Sequence, residues 1–108
     1  MAKARKKPAT VKVGAYVIVR SSPSGCWAGT LARRDGATVT LNGARRLWSW
    51  WAAEGVSLSG VAAEGLARSK DCRIASAVDQ AVIYEACEVL TATAKARKSI
   101  ESQPALSS

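Results

Sequence analysis

The chain has 108 residues, 48% of them hydrophobic, and carries a formal net charge of +8 from 16 basic and 8 acidic residues. That length supports one domain with one modest core, and no run of about 18 apolar residues is present to span a bilayer. Cys26, Cys72 and Cys87 are far apart, lack Cys-x-x-Cys spacing and have no histidine to accompany them, which argues against both a disulfide framework and a zinc site.

The cysteines are therefore expected to be small buried apolar residues, since a nucleophilic thiol also needs an activating base. The charge is unevenly spread. Lys3, Arg5, Lys6, Lys7 and Lys12 lie in the first twelve positions, which hold no acid, leaving 11 basic and 8 acidic groups and a net of +3 for the rest. Residues 1–12 read as a disordered basic tail with sequence-independent attraction to phosphate polymers, and Lys3, Arg5, Lys6 and Lys7 are its candidate nucleic-acid contacts. The tail begins like a secretory n-region, but no apolar h-region follows, so no signal peptide and no membrane association are expected.

Beyond Pro8, residues 13–102 form the expected domain and 103–108 a frayed tail. Val11 to Arg20 reads as a first strand, with Val13, Ala15, Val17 and Val19 on one face and Tyr16 and Ile18 on the other, both faces partly covered. Ser21 to Gly25 is a turn by composition, and Cys26 to Arg33 a second strand. Asp35-Gly36 suits a tight turn into Ala37 to Asn42, where Val39 and Leu41 point inward and Thr38 and Thr40 outward. Asn42-Gly43 is a further hairpin signal leading into a fourth strand, Ala44 to Trp50.

The pattern changes at Ala52. Ser57 to Ala67 carries Leu58, Val61, Ala62 and Leu66 at helical spacing, with Ser57 as N-cap and Gly60 and Gly65 inside it. Its small-residue surface suits close approach to another backbone, a second subunit among the candidates. Cys72 to Ala75 suits a short edge strand. Val78 to Leu90 is compatible with either state, and its β-branched density and its Val82, Tyr84, Ala86 alternation favour a strand in two pieces. A short helix, Ala92 to Glu101, follows, capped by Thr91 or Thr93. The expected fold is α+β: an antiparallel meander of five to six strands with two short helices, assembling as a homo-oligomer.

Arg45 to Trp51 holds two adjacent arginines and three of the four tryptophans. Strand alternation puts Arg46, Trp48 and Trp50 on one side and Arg45, Leu47 and Trp51 on the other, so one arginine must face the core. The two should do different jobs: one structural, one free for a ligand, with Arg46 the choice for the ligand because it shares its face with Trp48 and Trp50. Guanidinium groups offer paired donors to phosphate or carboxylate, and indoles offer a surface on which a base stacks. Arg45, Arg46, Trp48 and Trp50 are thus candidate ligand contacts, with Arg20 and Arg33 on neighbouring strands able to join them. The alternative is a purely structural strand, its tryptophans in the core and its arginines paired with Asp35, Asp79, Glu85 or Glu88.

Tyr16 to Arg20, Gly25 to Leu31, Ala44-Arg45-Arg46-Leu47-Trp48-Ser49-Trp50, Ser57-Leu58-Ser59 and Val89 to Ile100 together resemble a family of small phage and prophage proteins of unknown function, marked by an Ala-Arg-Arg-Leu-Trp motif. The resemblance covers roughly residues 14–101 and leaves the basic tail outside it. It implies a phage accessory protein in the cytoplasm of a bacterial host, with no activity to carry over.

Catalysis has the least support. There is no Walker-type phosphate loop and no Gly-x-Ser-x-Gly elbow, and Glu85 and Glu88 would fall on opposite faces of a strand. No catalytic residue, metal ligand or cofactor is assigned. The expectation is a non-enzymatic protein that binds an anionic ligand such as a nucleotide; by analogy with phage proteins that sequester nucleotide immune signals, that action would be counter-defence. Nucleic-acid binding through the tail and inhibition of a host enzyme are the alternatives.

Overall fold

The computed structural model describes residues 11–49, 51–52, 58–67 and 72–104. Its architecture is an antiparallel six-stranded open sheet with two short helices, an α+β fold. Strands β1 (Tyr16–Ser21), β2 (Gly25–Asp35) and β3 (Thr38–Ser49) form the meander; β6 (Arg73–Ile74), β7 (Val78–Ile83) and β8 (Ala86–Thr91) complete the sheet. The order is β6-β3-β2-β1-β8, with β7 also pairing β3. Helices α1 (Leu58–Glu64) and α2 (Ala94–Glu101) pack together on one face, beside the two-stranded ribbon of β4 (Trp51–Ala52) and β5 (Leu66–Ala67).

β7 and β8 lie at opposite edges of the sheet although they are neighbours in sequence. β7 pairs β3 and β8 pairs β1, yet only Tyr84 and Glu85 separate them. The sheet must therefore curl until its two sides meet at that turn, and Ala86 N–H donates to Ala37 O at 2.8 Å to hold the β8 end against the β2–β3 turn. The curl gives the sheet two cores. Val17, Val19, Leu31, Val39, Leu41, Ala44 and Ile83 fill the concave side, while Tyr16, Ile18, Cys26, Ala28 and Leu47 meet Val61, Ala62 and Ile100 of the helices on the convex side. Both faces of β1 are buried for this reason, as its near-continuous apolar run anticipates.

Several boundaries differ from the sequence reading, each for a local reason. β1 starts at Tyr16 rather than Val11, because the chain turns at Val13-Gly14, where Gly14 N–H donates to Leu31 O. Asn42-Gly43 is not a hairpin: β3 runs through it as one strand of 12 residues, with Gly43 at φ 57 where the β2–β3 ladder shifts. A bulge and a tight hairpin both need a residue in the left-handed region, so the dipeptide satisfies either. α1 ends at Glu64 and Gly65 (φ 89) leads out of it into β5, instead of lying within a helix to Ala67. The expected cap Ser57 lies outside the described residues.

The close neighbour of the small-residue helix is α2. Thr93 N–H donates to Ala62 O, its hydroxyl to Ala63 O, and Leu66 N–H to Ser99 Oγ. Thr93 is the N-cap of α2, accepting from Ala96 N–H, so one residue both starts this helix and ties it to α1. Gln103, expected in a frayed tail, is buried. The Val78 to Leu90 stretch is two strands joined by a turn, with Glu85 at φ 56 inside the turn, so Glu85 and Glu88 are not on one strand.

Candidate functional site

Register places Arg46 opposite Trp27, and Trp27 opposite Val19, so all three share the concave face. Two positions further along β3, Trp48 lies on the same side. The Arg46 guanidinium carbon sits 4.0 Å from the Trp48 ring centroid and 5.7 Å from that of Trp27, both within cation–π range. Trp48 is 56% exposed and Trp27 only half-buried, so neither indole is core.

The turn between β1 and β2 builds one wall of this cluster. Ser21, buried at the end of β1, donates its hydroxyl to Tyr84 O at 2.7 Å and accepts from Ser24 N–H. That holds the carbonyl of Ser24, which accepts from Trp27 Nε1 at 3.0 Å and fixes the indole. A Cβ at Gly25 would stand 3.2 Å from Arg46 Nη2, so glycine leaves the guanidinium its room. Arg46 is half-buried, and among the described residues no carboxylate pairs with it.

Arg45 faces the opposite way. It is 7% exposed on the convex side, donating Nε to Ala75 O and Nη1 to Ile100 O, both at 2.8 Å. Neither arginine pairs with Asp35, Asp79, Glu85 or Glu88. Main-chain carbonyls from the β6–β7 connection and from α2 take the role expected of a carboxylate for Arg45, joining three parts of the fold through one side chain.

The two flanking arginines do not join Arg46. Arg20 follows Ile18 on the convex face and pairs with Glu88 at 3.2 Å. Arg33 sits at the far end of β2, six positions from Trp27 and so roughly 20 Å along the strand, where it pairs with Asp35 at 2.8 Å. Trp50, Lys3, Arg5, Lys6 and Lys7 lie outside the described residues. Trp27 is the contact missing from the sequence reading; only the β2–β3 register, obscured by two ladder shifts, would have placed it beside Arg46.

Burial pushes the Cys26 thiol up, away from thiolate formation. Cys72 is buried too, whereas Cys87, against expectation, is exposed and donates to Arg20 O. Among the described residues, no group of histidine, cysteine and carboxylate side chains has the arrangement of a metal site. No described helix is long and apolar enough to cross a membrane.

Comparison with curated proteins and with solved structures found no match to this chain. A family model described as a domain of unknown function, DUF6948, matches residues 14–100, which takes in both cores, both helices and the Arg46 cluster. This chain belongs to the DUF6948 family.

Proposed function

We propose that this protein binds, without catalysis, an anionic ligand that carries a planar ring, a nucleotide being the chemistry that fits, through Arg46, Trp48 and Trp27. The observation that carries this reading is the Arg46 guanidinium, stacked at 4.0 Å on an exposed indole and without an acidic partner among the described residues. Each of the other candidate arginines in the sheet is engaged: Arg20 and Arg33 in ion pairs, Arg45 with carbonyls. Stacking on indoles leaves the guanidinium edge open, so its N–H groups address phosphate oxygens while the outer face of Trp48 receives the base. The resemblance to phage accessory proteins adds the setting: a protein acting against host processes in a bacterial cytoplasm by withholding a nucleotide signal.

The test is a titration of tryptophan fluorescence with nucleoside monophosphates, beside native mass spectrometry of the protein taken from host lysate, which reports oligomer size and co-purified nucleotide together. Arg46→Ala should lose at least about tenfold in affinity with its unfolding midpoint nearly unchanged. No saturable quenching by any nucleotide would overturn the proposal. Binding only of polynucleotide, abolished by deleting residues 1–12, would assign the activity to the basic tail instead.

A further inference from the structure

On the convex side, away from the Arg46 cluster, the fold leaves a cavity of about 480 Å³ lined by Tyr16, Arg45, Ser76, Ala77, Glu101 and Gln103, with Gly43. Its size is that of a small-ligand pocket; one wall carries a hydroxyl that the fold leaves without a partner, and another a buried charge that it does not neutralise. Tyr16 is 6% exposed, and its hydroxyl is buried without a hydrogen-bond partner among the described residues. Buried polar groups are nearly always paired, so an orphaned hydroxyl beside a cavity points to a partner that comes from outside. Arg45, beside it, is 7% exposed, and its bonds to Ala75 O and Ile100 O satisfy donors without neutralising charge. The one carboxylate in the lining, Glu101, is held by Arg97 at 3.2 Å, and Arg97 also lies over the Tyr16 ring. Two guanidinium groups and one carboxylate leave the surroundings with a single net positive charge.

We infer that this cavity is a second, separate binding site, for a small oxyanion: a carboxylate or phosphate group that takes Arg45 as counter-charge and accepts a hydrogen bond from Tyr16 Oη. Ser76 and Ala77, exposed on the β6–β7 connection, form its rim. Nothing in this inference depends on the Arg46 cluster, which faces the other core.

The probes are inorganic phosphate and acetate, each titrated into the full chain at constant ionic strength and followed by amide resonances, with chloride as reference. Saturable shifts centred on Ser76, Ala77 and Gln103 are expected. Saturation by phosphate alone identifies a phosphoryl group as the ligand, and by acetate alone a carboxylate; shifts with neither anion, or with chloride equally, overturn the proposal. Tyr16→Phe should weaken binding by about tenfold without lowering the melting temperature, because the hydroxyl that it removes has no partner to lose. Unchanged affinity in that variant would remove Tyr16 from the site and with it the inference. Ala77→Trp, which plugs the rim from an exposed position, should abolish binding with the fold intact, whereas Arg46→Ala should leave it as it is.

Discussion

Arg45 and Arg46 are adjacent in the chain and live in different environments because a strand turns successive side chains to opposite faces. Arg45 ties β3 to the β6–β7 connection and to the end of α2 through two carbonyls. Its replacement by methionine takes the guanidinium donor from Ala75 O and leaves Ile100 O with the Gln103 N–H alone, and it should cost about 2–4 kcal/mol, read as a lower midpoint in urea. Arg46→Ala loses its cation–π contacts with Trp48 and Trp27 at a half-exposed position and should cost within about 1 kcal/mol. Equal losses in the two variants would mean that Arg46 is structural after all. Tyr16 makes a different prediction at the same scale. Burial, and then the negative charge of Glu101, push its phenol from 10.0 up to about 12. The folded chain holds that proton more tightly than the unfolded one, so the contribution to stability is complete below about pH 10 and is lost as the pH rises towards 12. Melting temperature should fall between about pH 10 and pH 12, and the fall should be shallower in Tyr16→Phe.

Among the elements, α2 is the one whose start is most sharply defined. Thr93 accepts from Ala96 N–H and donates to Ala63 O, so Thr93→Ala removes a cap and an interhelix bond together. The expected loss is about 1–2 kcal/mol, measured by chemical unfolding, with Thr91→Ala as a control of little effect. That Thr91 and Thr93 both fit the cap by sequence shows the limit of local pattern: only the packing of α1 against residue 93 separates them. Asn42-Gly43 marks a similar limit. Its turn chemistry was legible, but whether the chain reverses there or carries on through a bulge depends on β7, which pairs with β3 on both sides of Gly43, at Asn42 with Gln80 and at Ala44 with Val78.

For the whole molecule, charge and fold are almost separable. Five of the 16 cations lie in residues 1–12, while the rest of the chain is nearly balanced. Deleting residues 1–10, which hold four of those cations, should reduce the slope of log K against log salt for duplex DNA by about 3–4, with the thermal transition little moved because Val11, packed on the concave core, and Lys12, whose carbonyl accepts from Ala15 N–H, are kept. A slope that persists would place the polyanion contact on the folded surface. The curl of the sheet sets the other whole-molecule property, since it gives one sheet two cores and thereby two polar clusters on opposite sides: Arg46 with its indoles, and Tyr16 with Arg45.

The sequence by itself determined the class of fold, the near position of most strands, and the different fates of the two adjacent arginines, because each follows from spacing along the chain: alternation with a period of two, turn residues, and the cost of an unpaired buried charge. Only the tertiary structure decided what each arginine meets. The carbonyls of Ala75 and Ile100 lie 30 and 55 residues from Arg45, and Trp27 reaches Arg46 only through a ladder whose register two bulges shift. Arg20 was drawn away to Glu88, 68 residues on, for the same reason, whereas Arg33 pairs with Asp35 two positions along its own strand. Periodicity says which way a side chain points, whereas its partner depends on which strands lie side by side and how far the sheet curls.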